Sequence, residues 1–165
     1  MAINPQTHLI GILGGKGGVG KSVVAANFAL ALQTELRTQV LLIDADSKSV
    51  GDQNVILGLK PVKTLKELTT LPQSINAQNI GTILTAHSSG LAYIGAVRGP
   101  EERLDANPEL VIKQIEVLSR FFKFIIVDLG NDLTPLQHAF LQEATSCLIV
   151  TTPEVLVVTQ TQRLM

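Results

Sequence analysis

Eight consecutive residues, Gly15-Lys16-Gly17-Gly18-Val19-Gly20-Lys21-Ser22, fit the pattern G-x-x-x-x-G-K-[ST] at every position. The residue types suit a polyphosphate. Glycines admit positive φ and let backbone N–H groups approach phosphate oxygens. Lys21 has the reach and charge for the β- and γ-phosphates. The Ser22 hydroxyl can ligate Mg²⁺. The same segment without a ligand would be a glycine-rich strand-to-helix turn. Its surroundings favour the phosphate reading, because an apolar run over 9–13 precedes it and an amphipathic stretch from 21 to about 36 follows. A helix beginning near Lys21 would point its positive N-terminal end at the bound anion.

Three aspartates stand where chemistry beside such a loop would need them. Asp44 and Asp46 follow the apolar run 40–43, and Asp128 follows the run 124–127. Aspartates at strand ends also cap turns or sit in solvated loops. The three histidines, His8, His87 and His138, are far apart in sequence without ligand spacing, so each is expected to be structural or solvated. Cys147 is the single cysteine, which excludes an internal disulfide and a multi-cysteine metal site. Its apolar neighbours predict a small core residue.

The elements that must position these groups are short apolar runs alternating with amphipathic stretches. Strands are predicted over 9–13, 40–43, 91–97, 124–127 and 148–150. A helix over 21–36 places Val24, Phe28 and Leu32 on one face. Asn107-Pro108-Glu109 reads as an N-cap, a proline at the first helical position and an acid, and opens a helix with Val111, Ile115, Leu118 and Phe122 in one stripe. Thr134-Pro135 opens another, and the chain from Val155 onward is helical. Residues 52–57 and 64–68 read as helical turns, and 80–84 is ambiguous between helix and strand. Strands alternating with helices imply βαβ units and right-handed crossovers. The expected architecture is therefore an α/β domain, a three-layer doubly wound fold with a mainly parallel sheet. Its strand ends form one rim, where ligands of such sheets bind.

Composition limits the function classes. The chain has 165 residues, 45% of them apolar and 16% charged, with a net charge of −1. That suits one globular domain with strands buried on both faces, and it argues against disorder. No basic run provides a nucleic-acid footprint. The N-terminus lacks the charged and apolar regions of a signal peptide, and no apolar run approaches the ~20 residues of a bilayer span. Cytoplasm is the default location, and no membrane-binding segment is visible.

Lys16 is not needed by an ordinary phosphate loop. The sequence Lys16-Gly17-Gly18-Val19-Gly20-Lys21-Ser22 resembles the deviant Walker A motif of the ParA/MinD family of P-loop ATPases. Val40-Leu41-Leu42-Ile43-Asp44-Ala45-Asp46 is similar to that family's second strand and D-x-D switch. Phe124-Ile125-Ile126-Val127-Asp128-Leu129-Gly130 is similar to its Walker B strand and switch II glycine, and Thr151-Thr152-Pro153-Glu154 to a later segment. Gly51-Asp52, Leu57-Gly58-Leu59-Lys60-Pro61 and Thr64-Leu65 look closest to the pilus-assembly CpaE/TadZ branch, and flagellar-number regulators share much of the pattern.

The resemblance implies a P-loop NTPase domain that binds ATP and Mg²⁺ through residues 15–22 and hydrolyses it. Lys16 would act across an ATP-dependent homodimer, Asp46 would orient the attacking water, and Ser22, Asp44 and Asp128 would hold the metal. It also implies a protein partner in a positioning, pilus or flagellar system, with recruitment to the membrane or a cell pole. A nucleotide-binding scaffold with little hydrolysis is the alternative. The single Tyr93 disfavours the tyrosine-autophosphorylating relatives, and the single cysteine the iron–sulfur ones. Family domains usually run longer than this chain, so residues 1–165 are expected to be one ATPase domain shortened at its C-terminal end.

Overall fold

The computed structural model describes residues 2–99 and 101–165. Among them, six strands form one sheet: β1 (His8–Leu13), β2 (Val40–Asp44), β3 (Thr85–Ala86), β4 (Ala92–Ile94), β5 (Phe124–Gly130) and β6 (Ser146–Ile149). Their order is β3-β4-β2-β5-β1-β6. Every pairing is parallel except β3 with β4. The helices are α1 (Lys21–Glu35), α2 (Asp52–Leu57), α3 (Leu65–Leu68), α4 (Pro108–Leu118), α5 (Pro135–Glu143) and α6 (Val155–Leu164).

The two-residue alternation of a strand splits the core into two layers. Leu41, Ile43, Ile125 and Val127 face Val111, Ile115 and Leu118 of α4 and Leu136 and Phe140 of α5. Val40, Leu42 and Ile126 face Ala25, Ala26 and Ala29 of α1, with Leu57 of α2 beside them. This is the expected helix–sheet–helix stack.

Several expectations shift in detail. The face of α1 on the sheet is Ala25, Ala26 and Ala29, while Val24, expected on an apolar stripe with Phe28 and Leu32, is exposed. Small side chains let a helix lie close to a sheet, and the larger apolar residues are displaced to its flanks. The ambiguous segment 80–84 opens with a 3₁₀ turn, Ile80–Thr82, and leads into β3. The strand expected over 91–97 is only three residues of ladder, because beyond Ile94 the chain turns to bridge Thr64 through Gly95. Phe122 is buried as expected but lies beyond the end of α4. Cys147, expected in the core, is exposed on β6 at the sheet edge. No helix among the described residues is long and apolar enough to cross a membrane.

Candidate nucleotide site

The phosphate loop spans the gap between β1 and α1. Gly18 and Gly20 adopt φ of 81° and 91°, values that L side chains resist. Nothing lies within 4 Å of where a side chain would stand at Gly17, Gly18 or Gly20, so that wall of the loop is open. The opposite wall is packed. A methyl group on Gly14 would meet the Val150 carbonyl oxygen at 2.6 Å, and one on Gly15 would meet the Thr161 nitrogen of α6 at 2.5 Å.

The start of α1 is prepared for an anion. Gly20 caps it without a side-chain hydrogen bond, and its first turn contains no acid. By contrast, Asn107 caps the start of α4 through its side chain, and a Thr64/Glu67 capping box opens α3. Uncapped N–H groups at a helix N-terminus are the usual partners of phosphate oxygens. Lys21 is only 5% exposed, and its Nζ donates to the Lys16 carbonyl oxygen at 3.2 Å, which folds it back over the loop. The Lys16 ammonium points away, 3.8 Å from Glu154 Oε2 of its own chain, with both side chains well exposed.

Strand register brings the carboxylates to the loop. Asp44 and Asp128 are direct partners across β2 and β5, and both are buried. Asp44 Oδ1 accepts from the Asp46 N–H and Oδ2 from the Gly51 N–H, each at 3.2 Å. Asp128 Oδ1 accepts from the Gly130 N–H at 3.3 Å, and Oδ2 from Gln53 Nε2 at 2.8 Å. Burial, followed by repulsion from Asp128, raises the Asp44 pKa well above the usual carboxylate range, although the two backbone donors oppose this. Burial also raises the Asp128 pKa, against the pull of Gln53, Ser22 and Gly130. Two buried carboxyl groups thus face each other across β2 and β5, and a divalent cation between them would offset both their burial and their mutual repulsion. Asp44 and Asp128 fit Mg²⁺ on this ground, and the Ser22 side chain, hydrogen-bonded to Asp128, stands beside them. Among the described residues no three Asp, Glu, His or Cys side chains converge as a self-sufficient metal site, so nucleotide phosphates would have to complete the set.

Asp46 is also buried, but its Oδ1 accepts from the Lys48 and Ser49 N–H groups at 2.8 and 3.0 Å. It therefore caps the turn after β2, the role that strand-end aspartates often take. Gly130, at φ 68°, packs directly on the Asp46 carboxylate, leaving no room for a methyl group. Asp132 continues this contact, accepting from Ser47 Oγ at 3.4 Å and lying 3.8 Å from Lys48 Nζ. The loops after β2 and β5 are clasped together over the rim.

The histidines take no part in this site. His8 stacks on Phe124, His87 bonds Ser89 in a turn, and His138 contacts the Thr134 carbonyl. Sequence reasoning missed Gln53 and Gln137, both fully buried. Gln53 bridges Asp128 and the Ser22 carbonyl oxygen, and Gln137 Nε2 donates to the Ala45 carbonyl oxygen between the two switch aspartates. The only sequence signal for Gln53 was its place four residues before Leu57, on the same helix face.

Comparison with known proteins agrees with this fold. FleN of Pseudomonas aeruginosa, an antiactivator, is 28% identical over 150 residues, covering 89% of this chain and 51% of that protein. YlxH of Helicobacter pylori, a flagellum site-determining protein, is 32% identical over 156 residues, covering 90% of this chain and 49% of its own length. The chain thus spans about half the length of these relatives. The crystal structure of a ParA family ATPase from Chlorobium tepidum superposes with a TM-score of 0.83 at 28% identity, over 93% of this chain and 64% of that one. The family model for the CobQ/CobB/MinD/ParA nucleotide binding domain matches residues 10–129, which include the phosphate loop and all three rim aspartates, and the chain belongs to that family.

Proposed function

We propose that this chain is the ATP-binding and ATP-hydrolysing domain of a dimeric switch that positions cellular machinery. The observation that carries the reading is the buried Lys21 at the uncapped start of α1, on the same rim as the paired Asp44 and Asp128. The loop N–H groups and Lys21 would bind the β- and γ-phosphates. Ser22, Asp44 and Asp128 would hold Mg²⁺, which supplies positive charge around the transferred phosphoryl group. Asp46 would orient water, and Lys16 would leave Glu154 to meet the nucleotide of a second subunit across a two-fold axis. Similarity to a flagellum site-determining protein supports a positioning role at flagella, and similarity to septum site-determining proteins of Bacillus subtilis and Helicobacter pylori, 25% and 29% identical, supports one at the division site. A pilus-assembly role has the support of the sequence pattern alone.

Lys21→Ala tests the binding step. A charge-assisted contact is worth about 1.5–3 kcal/mol, so ATP·Mg²⁺ affinity should fall at least about tenfold. Equal affinity of variant and parent in calorimetry would end the assignment. Lys16→Ala should keep nucleotide binding and abolish dimerisation with a non-hydrolysable ATP analogue in sedimentation. Undiminished dimerisation would remove the trans role of Lys16.

A second reading, a nucleotide-binding scaffold with little hydrolysis, is favoured by the Asp46 Oδ1 bonds to its own turn. A turnover assay separates the two. Asp46→Ala slows a hydrolysing protein but leaves the low rate of a scaffold unchanged.

A further inference from the structure

Gln53 is fully buried, although glutamine is a residue type mostly found exposed. Its Nε2 donates to Asp128 Oδ2 at 2.8 Å and to the Ser22 carbonyl oxygen at 2.9 Å. Both partners belong to the candidate cation site. The other end of the amide, Oε1, has no hydrogen-bond partner, and among the described residues it is the one buried side-chain N or O atom left so. A buried acceptor without a donor carries a desolvation penalty that native proteins seldom leave standing.

Turning the amide over does not remove the orphan. It would set Oε1 against the Asp128 carboxylate and the Ser22 carbonyl, both acceptors, and leave the NH₂ group without them. The missing partner is therefore a donor or a cation. A glutamine with a purely structural role has both ends engaged, as Gln137 has: its Nε2 donates to the Ala45 carbonyl, and its Oε1 accepts from Thr134 Oγ1. Gln53 differs from Gln137 in that one end of its amide holds Asp128 and the Ser22 carbonyl while the other is left unpaired. The N-cap of α2 is tied to the same site, because the Gly51 N–H donates to Asp44 Oδ2.

We propose that Gln53 is a positioning residue of the divalent-cation site, holding Asp128 with its amide nitrogen and offering its free oxygen to the water shell of the bound cation. This rests on the reading above, in which Ser22, Asp44 and Asp128 hold Mg²⁺. Asp128 is a carboxylate that must be kept in place without being neutralised by a lysine or arginine. An amide does this, because it donates a hydrogen bond and brings no net charge to oppose the cation.

The test is calorimetry of ADP binding to the chain with excess Mg²⁺ and with excess EDTA, for the parent, Gln53→Leu and Gln53→Glu. Each protein is also melted in both buffers. The parent should bind ADP more tightly with Mg²⁺. Gln53→Leu should lose about tenfold or more of that Mg²⁺ enhancement while its affinity in EDTA stays at the parental level. Gln53→Glu keeps an oxygen at the free position but sets a second one against Asp128, so its melting temperature should fall in EDTA and Mg²⁺ should raise it more than in the parent. If Gln53→Leu keeps the parental enhancement and changes only its melting temperature, Gln53 merely anchors α2 and the inference is overturned. Tighter Mg²⁺-dependent binding by Gln53→Leu also overturns it, by showing that the amide competes with the cation. Should Gln53→Leu not fold, Gln53→Glu decides alone, and loss of its Mg²⁺ response refutes the role of the oxygen. A parent that binds ADP equally well in both buffers refutes the metal assignment itself, a result distinct from any failure confined to the variants.

Discussion

The centre of the sheet and its β6 edge are built from similar residues and end in opposite environments. In β2 every residue from Val40 to Asp44 is buried, aspartate included. In β6 every residue from Ser146 to Ile149 is exposed, although Cys147, Leu148 and Ile149 are as apolar as their counterparts in β2. The apolar surface continues onto α6, where Val155 is 82% and Leu156 68% exposed. Position in the sheet makes the difference. β2 has a strand on each side and helices on both faces, whereas β6 has β1 as its one neighbour among the described residues. An apolar run thus sets the capacity for burial, and the neighbours decide whether that capacity is used. The phosphate loop lies between these regions, with Lys21 on the closed side and Gly14 and Gly15 backed by Val150 and α6.

The comparison can be broken or sharpened by substitution. The largest effect is expected at the closed centre. Ile126→Ala empties a fully buried site between α1 and the sheet, and should cost about 2–5 kcal/mol in denaturant unfolding. A loss below about 1 kcal/mol would mean that the centre is loosely packed. Gly15→Ala probes the boundary. The added carbon would meet backbone atoms of α6 at 2.5 and 2.6 Å, which cannot swing aside as a side chain can. It should cost about 1–3 kcal/mol and weaken nucleotide binding, measured by melting and calorimetry. An unchanged protein would show that α6 is not held against the loop.

Asp44→Asn should act with the opposite sign. An acid whose pKa is raised in the folded state is neutral in both states below its ordinary value near 3.8, and there it does not oppose folding. Destabilisation sets in as pH rises through that value and grows until the folded-state carboxyl ionises. At pH 7 without nucleotide or Mg²⁺, the variant should therefore melt above the parent, by about 2–4 °C for each kcal/mol gained. The two melting curves should converge as the pH approaches about 4. A variant that is no more stable at pH 7 would show that local hydrogen bonds already compensate the buried charge. The smallest effect belongs to the edge. Leu148→Ala should change stability by no more than about 0.5 kcal/mol in the isolated chain. A loss as large as that at Ile126 would mean that β6 is covered in solution.

The candidate phosphate loop stands out in the sequence alone, since its chemistry lies in eight adjacent residues and in the strand-to-helix context on either side, a context that the fold reproduces. The alternation of apolar runs and helical stripes likewise made the layered parallel sheet legible, and the Asn107 and Thr134 helix starts fell where their caps indicated. Short-range rules of this kind are written in neighbouring residues and can be read without coordinates. The pairing of Asp44 with Asp128 could not be read in that way, because it depends on a register between strands eighty-four positions apart in the chain. The same holds for Gln53 against Asp128, for the Gly130 backbone against Asp46, and for the exposure of Cys147. In each case the deciding partner is remote in sequence, and only the closed three-dimensional packing determines which polar group meets which, and which apolar residue is left facing water.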